Sequence, residues 1–296
     1  MTLTSSDVDL HVTPLSATIG AEIRGVDLKQ QLSDDIITDL RAALLRHKVV
    51  FFPGQHLNPE EHVTFARYFG TLTPAHPVIP GIPGFPEVFE IDYTKAAKVK
   101  DSYGDLSDRY DGLSWHTDVT FVENPPLGSI LNAVVIPAAG GDTMFSDQRA
   151  AYEGLSETLR DFLDRLVAVH DGTRSFGKVL AKRKDGGGTW EGKQYQTLEP
   201  VEHPVIRTHP ETGHKSIFVN PGFTSYIKGL TRAESDHLLR YLYDHSVKPQ
   251  YTVRYHWHTG DLGFWDNRVT QHSVVGDFAG QHRVIQRVTL RGDTPV

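Results

Sequence analysis

"SWHTDVTFVENPP", residues 114–126, decides how the rest of the chain is interpreted, because it places His116 and Asp118 two positions apart among strand-forming residues. Alternate side chains of a β-strand point to the same face, so the imidazole and the carboxylate would lie about 7 Å apart along the backbone, with Thr117 on the opposite face. The stretch therefore predicts two ligands for one metal ion on a β-sheet.

The His-x-acid pair is weak evidence when it stands alone. With 16 histidines and 37 acidic residues among 296, about two such pairs are expected by chance, and the chain has two. The second is His209-Pro210-Glu211 in "RTHPETGHK", where Pro210 and Gly213 indicate a hairpin turn. We interpret the second pair as a turn, and His116 needs a further ligand.

Composition narrows the function classes. A chain of 296 residues with 39% hydrophobic content can bury a full core, as one large domain or as a core with insertions. The net charge of −7 disfavours general binding to nucleic acid or to anionic membranes. The absence of cysteine excludes disulfides, thiolate catalysis and Cys-ligated metals, so any metal must lie on histidines and carboxylates.

The N-terminal sequence indicates a cytoplasmic protein. "MTLTSSDVDL" contains two acidic residues, and the first Lys or Arg of the chain is Arg24. No apolar run approaches the ~18 residues that a membrane span requires. We therefore expect no membrane partner.

Helical periodicity is confined to a few segments. The clearest ends in the buried strand "VVFF", and another begins with Asn58 as N-cap and Pro59 at the first helical position. A capping-box pair, Thr231 and Glu234, opens the last. The predicted helices are 33–48, 58–70, 156–170 and 231–245.

Most of the remaining chain is strand-like, in short runs bounded by Gly and Pro. The predicted strands are 49–52, 128–136, 203–208, 216–220, 251–257, 262–265 and 283–291. This pattern indicates an α+β protein, mainly β, in which helices brace a β-sandwich or barrel core. We expect one domain over 1–296, in which the Gly-rich and charged stretch 174–200 is a mobile lid or a solvated surface excursion.

His272, in "FWDNRVTQHSVVG", is the best candidate for a third ligand. Two His and one carboxylate on one face of an ion are typical of non-haem Fe(II) oxygenases, although zinc hydrolases accept the same ligands. Taken alone, His272 would be interpreted as a histidine of the core. His256 and His258 share a strand face, but no carboxylate near them in the sequence completes a triad.

Four motifs in order resemble one family. "WHTDVTF", "GGDTMFSD", "WDNRVTQH" and "QHRVIQRVTL" closely resemble the taurine dioxygenase family of Fe(II)- and 2-oxoglutarate-dependent oxygenases. The resemblance extends from "IGAEIRGVDL" (19–28) to "GDTPV" (292–296). It implies a double-stranded β-helix, or jelly-roll, that holds Fe(II) on His116, Asp118 and His272 and uses 2-oxoglutarate and O₂ as cosubstrates.

Binding of 2-oxoglutarate would require particular side chains inside the barrel. If 2-oxoglutarate chelates iron through its C1 carboxylate and keto oxygen, its distal carboxylate needs a cation and a hydroxyl donor. The resemblance assigns these roles to Arg283, eleven residues after His272, and to Thr143 of "GGDTMF".

Arg287 is the most informative residue for the primary substrate. Positions 283 and 287 have the same parity on the final strand, so both arginines should face the interior, and two inward arginines need two anions. By resemblance, Arg287 and His76 grip the sulfonate of taurine. The rest of the pocket implied by the resemblance consists of Ser175 and Phe176 in the lid and of Phe121 and Phe223 as an apolar wall, although core packing would also explain the aromatic residues.

The resemblance is incomplete at the amine end of taurine. Where taurine enzymes have a Tyr and an Asn, this chain has Ile79 and Gly112. This exchange disfavours a charged ammonium and favours an alkyl or aryl tail, unless the Tyr and acidic residues of segment 94–112 compensate.

Three functions are compatible with these residues. The first is oxidation of a small sulfonate, taurine foremost, at the carbon next to sulfur, which releases sulfite and an aldehyde. The second is cleavage of alkyl sulfates or aryloxyalkanoates by the same chemistry. The third, a zinc hydrolase or a non-catalytic metal-binding jelly-roll, leaves Thr143, Arg283 and Arg287 unexplained. A homo-oligomer is the family expectation.

Overall fold

The computed structural model describes residues 10–93, 115–182, 189–190, 193–194, 197–278 and 281–296. Its α-helices are α1 (Asp34–His47), α2 (Pro59–Arg67), α3 (Gln148–Glu153), α4 (Glu157–Leu163), α5 (Thr173–Lys182) and α6 (Arg232–Ser246), and Pro249–Tyr251 form a 3-10 helix. No helix in these ranges is both long and apolar enough to cross a membrane. The cytoplasmic location and the homo-oligomer stay predictions.

The strands are short and are distributed along the whole described chain. They are β1 (His11–Pro14), β2 (Ala21–Arg24), β3 (Val49–Phe52), β4 (Phe89–Asp92), β5 (Gly128–Val135), β6 (Thr143–Asp147), β7 (Val167–His170), β8 (Thr189–Trp190), β9 (Lys193–Gln194), β10 (Val201–Pro204), β11 (Ile206–Thr208), β12 (Lys215–Ile217), β13 (Thr224–Ile227), β14 (Thr252–Tyr255), β15 (Leu262–Asp266), β16 (Thr270–Val274) and β17 (Val284–Leu290).

Two sheets enclose the core that positions the site. The larger has the order β1-β2-β3-β15-β5-β17-β4, and the smaller has the order β14-β6-β16. Phe51, Leu131 and Trp265 of the larger sheet pack against Phe145 and Tyr255 of the smaller in one buried cluster. This pair of facing sheets confirms the predicted jelly-roll with bracing helices.

The first two helices cover the outer face of the larger sheet. Leu40 of α1 and Phe65 of α2 share a buried cluster with Phe264 of β15 and Val288 of β17. The predicted N-cap Asn58 is present and forms a capping box with Glu61 in α2, and Ser33, which was not predicted as a cap, accepts from the backbone of α1. Capping and periodicity are local signals, so the sequence was sufficient to place these helices.

The predicted helix 156–170 is wrong in its second half. Helix α4 ends at Leu163, and Val167–His170 form β7, which pairs with β10 on one side and β13 on the other. Pairing on both sides satisfies the backbone of β7 more fully than a continued helix would, and the sequence window does not show these partners. The predicted strand 203–208 likewise divides into β10 and β11 at Val205.

The predicted lid, 174–200, contains regular structure where it is described. Helix α5 runs through its beginning, and β8 pairs with β9 as a short hairpin whose Trp190 is buried. Residues 183–188, 191–192 and 195–196 lie outside the described ranges, as does segment 94–112. The mobility of 174–200 and the single domain over 1–296 stay predictions.

Acid should destabilise this fold well before its carboxylates titrate. Burial lowers the pKa of His62 and of His203 to about 4, and burial together with the nearby His203 lowers that of His170 further. The unfolded chain binds protons at these sites from about pH 6.5 downward, whereas the folded chain does not until about pH 4. Stability is therefore complete above pH 6.5 and decreases as the pH falls.

We expect the free energy of unfolding to fall between pH 6.5 and pH 4 by up to about 1.4 kcal/mol per pH unit for each buried histidine. Urea titrations at several pH values measure this slope. His62→Gln should reduce this slope by the contribution of one histidine. The His62 imidazole donates to the Ile130 carbonyl and does not form an ion pair, so the substitution removes one titrating group without breaking an ion pair. A flat profile between pH 6.5 and pH 5 would contradict the prediction.

Candidate active site

His116 and His272 are brought together by the backbone. The backbone N–H of each residue donates to the backbone carbonyl of the other, at 3.0 and 2.9 Å, in an isolated β-bridge. His272 lies on β16, opposite Phe145 of β6, and its ring centroid is 4.3 Å from that of His116. The backbones that carry the two imidazoles are therefore held side by side by sheet hydrogen bonds.

Asp118 lies in a turn, so the expectation that His116 and Asp118 share one strand is wrong. After the bridge at His116 the chain turns, and Val119 adopts φ +53°, a left-handed conformation that is unusual for a β-branched residue. The turn still places Asp118 Oδ1 3.7 Å from His116 Nε2. One ligand atom from each of His116, Asp118 and His272 lies within 4.8 Å of the others, so the predicted grouping is present for a different geometric reason.

Three side chains hold the Asp118 carboxylate and its turn. Ser129 Oγ donates to Oδ2 at 2.7 Å, and Arg287 Nη1 donates to Oδ1. Asn267 accepts from the Asp118 N–H at 2.9 Å and donates to its carbonyl at 3.0 Å. The carboxylate is therefore oriented by groups on β5, on β17 and in the turn after β15.

The charges of the three candidate ligands suit a divalent ion. Burial raises the pKa of Asp118, but the charges of Arg287 and of the two imidazoles outweigh it and leave the pKa well below the usual value. Burial, with the neighbouring His116, lowers the pKa of His272 to about 3. An ionised carboxylate and a neutral imidazole are the forms that bind metals. Two imidazoles and one carboxylate fit Fe(II) and would also accept zinc.

Arg283 is a fully buried cation with open donors. Its Nε donates to the Gly141 carbonyl at 3.1 Å, and its guanidinium lies 5.1 Å from the Tyr93 ring and 5.5 Å from the Phe278 ring. Nη1 and Nη2 have no hydrogen-bond partner among the described residues. A buried guanidinium with two open nitrogens fits a carboxylate that binds through both oxygens.

The glycine at position 141 is required for this arrangement. Gly141 has φ +76°, and a Cβ there would lie 3.0 Å from Arg283 Cδ and Nε. Thr143, two residues later at the start of β6, is buried and accepts a hydrogen bond from Trp257 Nε1 at 2.9 Å. Arg283 and the "GGDT" segment thus meet, as the cosubstrate interpretation requires.

Arg287 is also buried, as its parity with Arg283 predicts. A register irregularity between β17 and β5 at Val284 lies between the two arginines, but the extra residue is on β5, so β17 keeps its alternation. The Arg287 guanidinium lies 5.2 Å from the ring of Phe89, its partner on β4, and its Nε has no hydrogen-bond partner within the described ranges.

His76 also packs against Phe89. The two rings stack with centroids 5.6 Å apart, and the Val78 N–H donates to His76 Nδ1 at 3.1 Å. Since Nδ1 accepts this bond, the proton of a neutral His76 ring is on Nε2. Phe89 therefore links the two residues that were expected to grip an anion.

Aromatic rings connect His76 to the candidate metal ligands. The ring centroid of Phe176 lies 4.6 Å from His76 and 5.4 Å from Phe121. Phe121 lies 4.8 Å from Phe223, which in turn lies 6.2 Å from His116. The apolar wall is completed by Val78, Val119, Val122, Leu180, Trp190, Leu198 and the partly buried Ile79. Ser175 is half-buried beside Phe176 on α5.

The competing histidines do not join this cluster. His209 and Glu211 lie at the β11–β12 hairpin, as predicted, where His209 contacts Asp266 and Glu211 pairs with Arg268. His256 Nδ1 lies 2.7 Å from Asp142, but among the described residues the group of three potential metal ligands is His116, Asp118 and His272. That contact spans 114 residues of sequence. Gly112 lies outside the described part of the chain.

Sequence reasoning missed several residues that support the site. Asn267 lies inside "WDNRVTQH" and Trp257 lies inside "YHWH", so both stood in stretches that had been singled out. No sequence signal marked the others, whose roles depend on contacts between distant strands. They are Phe89, Tyr93, Ser129 and Phe278.

Comparison with known proteins gives a consistent result. Residues 11–289 match the taurine catabolism dioxygenase TauD, TfdA family. An alpha-ketoglutarate-dependent sulfate ester dioxygenase of Pseudomonas putida is 39% identical over 98% of this chain and 92% of its own. An alkylsulfatase of Acinetobacter baylyi is 38% identical over 96% of this chain and 86% of its own. The crystal structure of a taurine dioxygenase from Burkholderia xenovorans superimposes with a TM-score of 0.80 at 39% identity, covering 97% of this chain and 92% of that one.

Proposed function

Because the chain belongs to the taurine catabolism dioxygenase TauD, TfdA family and is a 2-oxoglutarate-dependent dioxygenase, we propose that it oxidises small organic sulfate esters and sulfonates that carry an apolar tail. The observation that carries this proposal is the position of Arg287. A buried guanidinium that contacts Asp118 is connected through Phe89 and His76 to a cluster of aromatic and aliphatic side chains that includes Ile79. An anionic head and an apolar tail match these two surfaces.

We assign the metal, Fe(II), to His116, Asp118 and His272, and the distal carboxylate of 2-oxoglutarate to Arg283 and Thr143. The open Nη1 and Nη2 of Arg283 support the second assignment, because buried donors that make no hydrogen bond cost free energy until an acceptor binds them. Zinc hydrolysis would need neither Arg283 nor 2-oxoglutarate, so family membership decides against the hydrolase and the non-catalytic alternatives.

The reaction balances without a protein acid or base at the oxidised carbon. Fe(II) held by His116, Asp118 and His272 would activate O₂. One oxygen atom of O₂ would be used to convert 2-oxoglutarate to succinate and CO₂, and the other would be inserted into a C–H bond of the substrate. When that carbon carries a sulfate, the C–O bond to sulfate breaks, the new hydroxyl loses its proton, and an aldehyde and hydrogen sulfate leave. A sulfonate gives an aldehyde and sulfite by breaking its C–S bond.

The protein's own groups hold the substrate at this carbon. Arg287 donates to the anionic head, and Nε2 of a neutral His76 carries a proton suited to the same head. Phe89 packs on both and keeps their separation fixed. The aromatic wall excludes water, which strengthens the interaction of the anion with Arg287.

The apolar side chains around Ile79 should favour some of the candidate substrates over others. Ile79 offers no acceptor to the ammonium of taurine, and desolvating a charge without a partner is costly. Each methylene of an alkyl tail instead gains about 0.8 kcal/mol when buried. We therefore rank alkyl sulfates and longer alkanesulfonates ahead of taurine, in line with the names of the Pseudomonas and Acinetobacter relatives.

Turnover should rise with tail length. We expect kcat/KM to increase by up to about fourfold per buried methylene from taurine through butanesulfonate to hexanesulfonate. Release of sulfite, and of sulfate from hexyl sulfate, measures it, with phenoxypropionate testing the aryloxyalkanoate alternative. Ile79→Ala should flatten the dependence by removing part of the wall. If taurine leads by tenfold or more, another group holds the amine and the enzyme is a taurine dioxygenase.

A further inference from the structure

Trp257 makes a hydrogen bond that the proposed function does not yet use. It lies two residues beyond β14, its side chain is 1% exposed, and its Nε1 donates to Thr143 Oγ1 at 2.9 Å. An indole N–H donates and cannot accept. Thr143 therefore uses a lone pair for this bond and keeps its own proton for a different acceptor.

The direction of the indole N–H is fixed by packing. Gly263 of β15 lies against the ring, and a Cβ at that position would be 2.5 Å from Trp257 Cη2. The rings of Phe51 and Tyr255 meet the indole edge-on, with centroids 5.7 and 4.9 Å away. With a glycine on one side and two aromatic rings on others, the indole cannot turn its N–H away from Thr143 without disturbing the core.

The bonded hydroxyl stands at the end of the barrel where Arg283 lies. Thr143 is the register partner of Tyr255 on β14 and of Val274 on β16. Gly141, two residues before it, accepts from Arg283 Nε at 3.1 Å. The Thr143 hydroxyl and the Arg283 guanidinium therefore both lie at the "GGDT" segment, the first as one of its side chains and the second through its hydrogen bond to Gly141.

We propose that Trp257 is a positioning residue that orients the Thr143 hydroxyl as a donor to the distal carboxylate of 2-oxoglutarate. This inference rests on the proposed roles of Thr143 and Arg283. Without the indole donor, the hydroxyl is free to rotate among three staggered positions and to donate elsewhere. The indole N–H occupies one of these directions and so confines the Thr143 proton to the remaining ones before the cosubstrate binds.

The expected effects follow from these contacts. Loss of the Thr143 hydroxyl removes a hydrogen bond to a charged group and should weaken 2-oxoglutarate binding by about 10- to 100-fold. Loss of the indole N–H leaves that hydroxyl present but unoriented, which should weaken binding by about three- to tenfold. A 2-oxo acid without a distal carboxylate should be insensitive to both changes.

The test titrates the anaerobic Fe(II)-loaded protein with 2-oxoglutarate and with 2-oxobutanoate, which keeps the chelating end and lacks the distal carboxylate. The variants are Thr143→Val, Trp257→Phe and their combination, with Trp257→Leu as a second replacement should the Phe variant fold poorly. Tyr255→Phe is the matched control, because it deletes the hydrogen bond of a neighbouring buried ring to Asp261 and leaves Trp257–Thr143 intact.

The outcomes separate the two layers of the proposal. We expect Trp257→Phe to weaken the binding of 2-oxoglutarate and to leave the binding of 2-oxobutanoate unchanged. It should have no further effect on binding in the Thr143→Val background, and Tyr255→Phe should not weaken the binding of 2-oxoglutarate. Weakening of both ligands alike, or full additivity with Thr143→Val, would overturn the role of Trp257. If Thr143→Val itself binds 2-oxoglutarate normally, the assignment of Thr143 in the proposed function fails instead.

Discussion

Replacing Asp118 with alanine is expected to abolish turnover and to remove the weak visible charge-transfer band that anaerobic protein develops with Fe(II) and 2-oxoglutarate. Asp118 is the one anionic ligand of the proposed metal site, and it also neutralises the buried Arg287. Replacing a residue that only hydrogen-bonds to a metal ligand typically lowers metal affinity by about 10- to 100-fold. Replacing the ligand itself should therefore lower it by at least about 100-fold. Absorbance and metal titration measure the two effects separately.

Asp164→Ala is a suitable control for this loss. Asp164 pairs with Lys215 and accepts from Tyr152, and none of these three belongs to the metal cluster. The control should keep both the band and the metal affinity. Recovery of activity with zinc alone, together with no response to Fe(II) and 2-oxoglutarate, would contradict the assignment of the site.

The two buried arginines should fail in different ways when they are replaced. Arg283→Met should raise the KM for 2-oxoglutarate, because it removes the cation with open Nη1 and Nη2. Arg287→Met should raise the KM for the sulfate or sulfonate substrate. Loss of a buried charged partner costs about 2–5 kcal/mol, or roughly 30- to 4000-fold. Steady-state kinetics with each ligand varied in turn measure the split.

Each arginine variant is the control for the other. Arg287 also contacts Asp118, so the metal affinity of Arg287→Met is measured first and the kinetics are run at saturating Fe(II). An Arg287→Met protein that kept full affinity for every anionic substrate would refute its role as an anchor. An Arg283→Met protein with an unchanged KM for 2-oxoglutarate would do the same for Arg283.

The sequence was sufficient for the parts of the site that depend on residue type and strand parity. Alternation predicted that Arg283, one residue before β17, and Arg287 face the same side, and both contact groups outside the larger sheet, Gly141 and Asp118. The motifs identified His116, Asp118 and His272, whose ligand atoms do converge. Alternation is a local property of one strand, so a prediction based on it does not require knowledge of the neighbouring strands.

Contacts between distant segments could not be predicted in this way. The turn at Asp118 depends on Asn267, 149 residues away in the sequence, and the stacking of Phe89 on Arg287 depends on the pairing of β4 with β17. The incorrect expectation that His116 and Asp118 share one strand has the same origin. The strand-forming residues of 114–126 gave no sign of the left-handed Val119, a conformation that the surrounding structure imposes.

The reciprocal bridge between His116 and His272 has a consequence for the supply of metal in the cell. A site whose two histidines are held by reciprocal backbone hydrogen bonds can adapt to an ion only through side-chain rotation. Nitrogen and oxygen ligands bind cobalt, nickel, copper and zinc more tightly than ferrous iron. Which ion fills the proposed site is therefore governed by the relative abundance of free metals around the protein, and iron occupancy depends on the cell keeping the stronger competitors scarce.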